Sequence, residues 1–409
     1  MAPPRADARR RSPEAELLVR CARIALEPGA REEILRLAAS GLDWEAFIAL
    51  ADDHGLVPLV FDHLSDAAGI VPKPALVELW GRYEAIARRN RGLAKELLAI
   101  LAALDDAGIP AIPYKGPALA FSIYGDVARR VYGDLDILVR PRDVRRGEEV
   151  LQARGYLPEY PLAPDVEAAF LRAPSQHHVV LAGAGKSPVE LHWKTDPDFP
   201  VERDDDAWWA GLGRAPLDEA SVRCFAPREL LLILCLHGSR HWWGSLGWLV
   251  DVAEMVRRDA RIEWDWIFAR ARELECERRL ALGLHLAERL LGAPLPEAVG
   301  RRVAAHPGVA ELAHRIEETL FARDAGLNAL QGLRMNLSLY ERLPQRLAHL
   351  ANTLVEPSLV EWTRWPLPRA LFFLYPALRI MRLARKYSSP RSPAAATPRT
   401  PPPPRHSTG

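Results

Sequence analysis

Two stretches decide the fold: Tyr114-Lys115-Gly116-Pro117-Ala118-Leu119 and, further along, Gly133-Asp134-Leu135-Asp136-Ile137-Leu138-Val139. The second is a short apolar run with aspartates two positions apart, and side chains at that spacing share one face of a β-strand. Adjacent carboxylates repel each other unless a cation lies between them. Carboxylates, waters and substrate phosphates together are the ligands that hold Mg²⁺. The Lys-Gly turn adds a point charge and a close-approaching backbone, which suits a triphosphate. The pattern predicts a metal-dependent site for nucleotidyl transfer.

A third acid strengthens this interpretation, because an isolated Asp-x-Asp pair also occurs at solvated strand ends. Glu190 lies on a later strand-like run. In nucleotidyl transfer, two metals about 3.5–4 Å apart can clamp the entering and leaving oxygens. We therefore predict that Asp134, Asp136 and Glu190 are the metal-binding and catalytic residues. Glu190 would either bind the metal on the acceptor side or act as the general base.

The predicted nucleotide contacts lie around these acids. Lys115 and Arg130 would offset the charge of the phosphate oxygens, and Gly116 would let the backbone approach a phosphate. For Arg130, a salt bridge that orients the aspartates is an equally good interpretation. His192 is predicted to support the site or to contact the acceptor.

Other histidines have the spacing of metal ligands. His177, His178 and His192 are predicted to meet across a β-hairpin, and His237 with His241 is an i, i+4 pair on a helix, a spacing that zinc sites use. No glutamate follows in an H-E-x-x-H pattern. We favour a polar lining of the cleft over zinc binding for the helical pair.

Composition and charge limit the class of protein. Of 409 residues, 49% are hydrophobic and 26% charged, as in soluble globular proteins. A formal net charge of +1 gives no global basic field, so nucleic acid is a disfavoured partner, although the Arg-rich stretch 140–146 leaves it open. The four cysteines include no C-x-x-C pair and predict neither a zinc ribbon nor a disulfide framework. With no secretory signal or transmembrane segment predicted, we expect a cytoplasmic protein.

The order of helical and strand patterns predicts an α+β fold: a small mixed β-sheet core flanked by N-terminal and C-terminal helical regions. The apolar, basic segment 369–386 is predicted to pack as core with its arginines reaching solvent, so peripheral membrane contact is not expected. The predicted divisions are a disordered leader over 1–13, a helical region over 14–107, an α/β core over 108–225, a helical domain over 226–387 and a disordered Pro-rich tail over 388–409.

Taken in order, these motifs resemble a family of uncharacterised bacterial nucleotidyltransferases in the DNA polymerase β-like nucleotidyltransferase superfamily. The resemblance spans roughly residues 40 to 385 and implies an NTP as substrate and Mg²⁺ or Mn²⁺ as cofactor. The superfamily usually begins its site with Gly-Ser, whereas this chain has Lys115-Gly116-Pro117, a start similar to that of abortive-infection toxin-type members. The motifs are Lys115-Gly116-x-Ala118-Leu119, Arg130-x-x-Gly133-Asp134-Leu135-Asp136, Glu190-Leu191-His192-Trp193, Leu236-His237-Gly238, Trp248-Leu249-Val250-Asp251-Val252 and Glu361-Trp362-Thr363.

The leading hypothesis is a metal-dependent nucleotidyltransferase that moves an NMP from an NTP to a protein, a small molecule or a sugar. A non-catalytic nucleotide-binding or scaffold protein of the same fold is the first alternative, because the usual serine is missing. An RNA-modifying nucleotidyltransferase is the second.

Overall fold

A computed structural model describes residues 11–258, 262–321 and 329–388. It confirms the α+β class, with a mixed five-stranded sheet, a two-stranded sheet and flanking helices. Most of the predicted leader and tail lies outside the described residues. The four cysteines are free.

The N-terminal part is helical, as the apolar periodicity predicts. Its last helix is long, and the chain leaves it through Gly108, whose φ of +69° belongs to the left-handed region that favours glycine. Leu93, Leu97 and Leu104 of that helix are buried against the sheet. These helices are α1 (Pro13–Cys21), α2 (Ala30–Ala38), α3 (Trp44–Asp53), α4 (Val57–Leu64) and α5 (Lys73–Asp106).

The middle part carries the sheet. Its elements are β1 (Ala111–Pro113), α6 (Gly116–Leu119), a π-helical turn (Ala120–Tyr124), β2 (Leu135–Val139), α7 (Val144–Ala153), β3 (Leu157–Pro158), α8 (Pro164–Phe170), β4 (His178–Ala182), β5 (Val189–His192), α9 (Asp206–Ala210), β6 (Gly213–Leu217) and β7 (Ala220–Cys224). The large sheet has the order β1-β2-β5-β4-β3, and β6 pairs with β7. The predicted β4–β5 hairpin is confirmed.

The two faces of the sheet pack against different helices. Leu135, Ile137 and Leu191 point to a core shared with α5 and α7. Ile112 and Leu138 on the opposite face join the core of the C-terminal helices. The sheet therefore lies between two helical layers, and the polar residues Asp136 and His192 of the second face are buried there.

The C-terminal part is helical again. No helix in the described part of the chain has both the length and the apolar character that crossing a bilayer requires. Its helices are α10 (Pro227–Arg240), α11 (Leu246–Arg258), α12 (Trp264–Glu273), α13 (Glu277–Leu291), α14 (Glu297–Ala304), α15 (Val309–Leu320), α16 (Ala329–Leu339), α17 (Leu343–Val355), α18 (Leu359–Arg364) and α19 (Tyr375–Ser388).

The prediction that segment 369–386 packs as core is wrong for most of its apolar residues. Tyr375 is buried, but Phe373 is 72% exposed and Ile380 is 52% exposed. Arg379 and Arg382 turn inward and pair with the buried carboxylate of Glu361 instead of reaching solvent. The segment is therefore held to the protein both by this ion-pair cluster and by the rings of Phe372 and Tyr375, which pack against Trp362.

Candidate active site

Two of the predicted acids face each other on neighbouring strands. β2 and β5 run parallel, and their register sets Asp136 directly opposite Glu190 and Leu138 opposite His192. Since residues two apart share a face, Asp136, Glu190 and His192 lie on the same face of the sheet. Asp134 comes directly before β2, two residues ahead of Asp136. The sheet register thus brings the Asp-x-Asp pair and Glu190 to one place.

Lys115 contacts one of these carboxylates. Its Nζ lies 2.6 Å from Oδ1 of Asp136, and the two side chains are 13% and 3% exposed. A carboxylate this deeply buried is costly unless a cation and hydrogen bonds compensate for the lost hydration. Gly116 has φ of +52°, and an added Cβ would lie 3.1 Å from the backbone oxygen of Asp134. Glycine at this position therefore lets the Lys-Gly turn lie against the strand that carries the aspartates.

The charges of the acids perturb one another. Burial and the neighbouring charges of Asp136 and Glu190 raise the pKa of Asp134 to about 7. Burial also favours protonation of Asp136, but Lys115 and His192 overcome it and hold the pKa of Asp136 below its usual range. Burial favours protonation of Glu190, but a hydrogen bond with His192 and the charges of His178 and His192 together outweigh it and lower the pKa of Glu190. The site therefore holds two ionised carboxylates, Asp136 and Glu190, beside a third, Asp134, that is partly protonated near neutral pH.

His192 lies between the two opposed acids. With a proton on Nε2, its imidazole donates to Oδ1 of Asp136 at 3.2 Å and to Oε2 of Glu190 at 3.1 Å. Burial lowers the pKa of His192, but the hydrogen bonds to these two carboxylates together raise it by more, so that the pKa lies above its usual value. Its Nδ1 is buried and has no hydrogen-bond partner in the described part of the chain.

Two more histidines form the wall beside His192. His178 lies opposite His192 on β4, and their ring centroids are 4.9 Å apart. Nε2 of His177 accepts a hydrogen bond from Nη1 of Arg240 at 2.8 Å and is 3.0 Å from Nδ1 of His178. Arg240 belongs to α10, so the C-terminal helices help to fix this wall. Arg240 was not predicted as a site residue, although it lies three residues after His237 on the same helix.

Arg130 forms a buried salt bridge. Its guanidinium donates to both carboxylate oxygens of Asp251 on α11, with N–O distances of 2.9, 3.1 and 2.9 Å. The hydroxyl of Tyr124 also donates to Asp251, at 2.7 Å. One alternative for Arg130 was a salt bridge that orients the aspartates of the site, but the partner found is Asp251. The pair joins the loop before β2 to the C-terminal helices.

His237 and His241 line the region on the α10 side. Their ring centroids are 4.7 Å apart, and both rings contact Trp248. Burial, Arg240 and Lys115 lower the pKa of His241 to about 4, and burial with Lys115 lowers that of His237 well below its usual value. Both imidazoles are therefore neutral at physiological pH and close enough to feel the charge of Lys115.

The donor atoms at the site fit a divalent cation. Asp136, Glu190 and His192 each offer one donor atom, and these atoms lie within 4.8 Å of one another. Within the described residues, a second such group is His177, His178 and His192. Asp134 belongs to neither compact group, although its charge interacts with both other acids. The predicted site residues are thus near one another, while Arg130 is turned to Asp251.

One comparison with known proteins gives a match. The family described as uncharacterised nucleotidyltransferase matches residues 40–292, which is more than half of the chain and includes all seven predicted site residues. No match to a curated protein or to a solved structure was found.

Proposed function

The chain belongs to the uncharacterised nucleotidyltransferase family, and we propose that it is a metal-dependent enzyme that transfers an NMP group from an NTP to an acceptor. The acceptor oxygen would bond to the α-phosphorus, while the bond to the bridging oxygen breaks and pyrophosphate leaves with that electron pair. The observation that carries the proposal is the direct opposition of Asp136 and Glu190 on β2 and β5. Two opposed carboxylates can bind a divalent cation, and Lys115, which contacts Asp136, can offset charge on the phosphates of the nucleotide.

Asp136 and Glu190 would have different roles in this reaction. A bound Mg²⁺ or Mn²⁺ would offset charge on the phosphate oxygens and orient them. Asp136 is buried and fixed by Lys115 and His192, which suits a ligand of constant position. The side chain of Glu190 is 25% exposed, so it can meet an incoming acceptor. Its lowered pKa keeps it ionised at neutral pH, as both a metal ligand and a general base require.

Transfer is tested with NTPs labelled at the α-phosphate and incubated with the protein in Mg²⁺ or Mn²⁺. Asp136→Asn preserves the shape of the side chain and removes its charge, and we expect it to lower pyrophosphate release at least about 100-fold. Glu149→Gln is the matched control, because Glu149 is an exposed carboxylate on α7, 66% exposed. Equal turnover by the wild type and Asp136→Asn would reject the proposed reaction.

A non-catalytic nucleotide-binding protein of the same fold is the second candidate. It is favoured by the contact between Lys115 and Asp136, because an ammonium group there supplies positive charge without a metal. Calorimetry separates the two functions. Tight NTP binding without pyrophosphate release supports the non-catalytic protein, and absence of NTP binding counts against both.

A further inference from the structure

The spacing of donor atoms around His192 resembles a coordination shell. Bonds from a metal to histidine nitrogen or carboxylate oxygen are about 2.0–2.2 Å long, so neighbouring donor atoms in a tetrahedral or octahedral shell lie about 3.0–3.5 Å apart. Nε2 of His192 is 3.2 Å from Oδ1 of Asp136 and 3.1 Å from Oε2 of Glu190. The imidazole and each carboxylate therefore already have the separation of adjacent ligands, and a bound cation would replace the Nε2 proton that the imidazole otherwise donates to the two carboxylates.

Burial keeps this arrangement in place. His192 is 2% exposed and Asp136 is 3% exposed, and both lie on strands that pair in register. His192 is further enclosed by Tyr114, with ring centroids 5.4 Å apart, and by His178. An imidazole so confined cannot turn away when a cation binds, so the cation must meet it at the edge of the two carboxylates.

The second group of nitrogens, from His177, His178 and His192, is a weaker site. The guanidinium of Arg240 donates to Nε2 of His177 at 2.8 Å, which uses the single lone pair of that nitrogen, whereas a carboxylate that accepts from a lysine keeps further lone pairs for a metal ion. His177 and His178 therefore act as a wall that supports His192. This leaves the group of two carboxylates and one imidazole as the cation site.

We propose that His192 is a direct metal ligand together with Asp136 and Glu190, and that this nitrogen makes the site select a first-row transition-metal dication, Mn²⁺ or Zn²⁺, over Mg²⁺. Mg²⁺ prefers oxygen ligands, whereas imidazole suits transition metals. The inference rests on the proposed function only for what the cation does, because its binding is measured without NTP.

Calorimetry on the full-length, metal-stripped protein tests the selectivity with MnCl₂, ZnCl₂ and MgCl₂ as probes. We expect Mn²⁺ and Zn²⁺ to bind at least about tenfold more tightly than Mg²⁺. His192→Gln should weaken Mn²⁺ and Zn²⁺ binding about 10- to 100-fold and leave Mg²⁺ binding within about threefold. His314→Gln is the matched control, because the side chain of His314 is 66% exposed and its Nε2 lies 3.6 Å from a single carboxylate oxygen, Oε1 of Glu318. This variant should leave the affinity for all three metals unchanged. Mg²⁺ binding as tight as that of Mn²⁺ and Zn²⁺, or equal loss for all three metals in His192→Gln, overturns the proposal.

A spectroscopic measurement on the wild type keeps the test valid if His192→Gln does not fold. Bound Mn²⁺ should show pulsed electron paramagnetic resonance modulation from a coordinated imidazole nitrogen, and histidine labelled with ¹⁵N should change that signal. Absence of nitrogen coupling overturns the proposal. If nitrogen coupling is present and no NTP is turned over, the proposed function fails while this inference stands. If NTP is turned over but no nitrogen coupling is seen, the proposed function stands while the assignment of His192 as a metal ligand fails.

Discussion

The buried salt bridge between Arg130 and Asp251 predicts the stability of one pair of variants, and NTP binding by the same variants tests whether Arg130 also contacts phosphate. The guanidinium side chain is 11% exposed and that of Asp251 is 1% exposed. Arg130→Met would leave Asp251 with the hydroxyl of Tyr124 as its remaining described partner. Stranding a buried charge in this way costs about 3–5 kcal/mol of unfolding free energy. Adding Asp251→Asn removes the stranded charge and keeps an acceptor for Tyr124, so we expect the double variant to lose only about 1–2 kcal/mol.

The assay is urea unfolding followed by tryptophan fluorescence, with NTP binding measured on the same samples by calorimetry. Arg129→Met is the matched control. Arg129 pairs with Asp62 at 3.0 Å, and the two side chains are 38% and 24% exposed, so its loss should cost less than about 1 kcal/mol. The reasoning is refuted if Arg130→Met costs no more than the control, or if the double variant is no more stable than Arg130→Met. A stable double variant that has lost NTP binding would assign Arg130 a phosphate contact as well.

Three further predictions follow from contacts at and near the site. Asp134→Asn should raise the melting temperature in chelator, and by clearly more at pH 8 than at pH 5, because a carboxyl pKa raised from 3.8 to about 7 makes stability fall as pH rises across that interval; an equal shift at both pH values would contradict this. Lys115→Met should raise the affinity for Mn²⁺ about tenfold in calorimetry, since the ammonium that now neutralises Asp136 is removed; unchanged or weaker binding would count against the competition between lysine and metal. Gly238→Ala should cost about 1–3 kcal/mol in urea unfolding, because a Cβ there would lie 2.2 Å from the ring of Trp243, and a neutral effect would show that the ring can move.

The alternation of side chains along strands made the acidic face predictable. Asp136 and Glu190 could be assigned to one site because each occurs in a short apolar run that reads as a strand. The predicted hairpin then gave Glu190 and His192 a common face. The sequence does not state that β2 and β5 are direct neighbours, since β3 and β4 lie between them in the chain, and only the sheet order sets Asp136 opposite Glu190.

Side-chain partners that are distant in sequence could not be predicted. Asp251 lies 121 residues after Arg130, and an arginine beside an acidic strand reads equally well as a phosphate contact. The exposed apolar residues of segment 369–386 show that burial against a distant element could not be predicted either. Apolar periodicity predicts which face of a helix is hydrophobic but not whether another element covers it. Phe373 and Ile380 have the pattern of core residues and are left exposed.

The glycine of the Leu236-His237-Gly238 motif shows how a motif can reflect packing rather than chemistry. Trp243 is fully buried with φ of +51°, and the Cβ positions of Gly238 and Gly283 both fall within 2.8 Å of its ring. Two glycines therefore make room for one tryptophan where α10 and α13 meet. The same helix, α10, carries Arg240 to the histidine wall. Since a displaced α10 would move Arg240 away from His177, the packing of Trp243 and the geometry around His192 are physically linked.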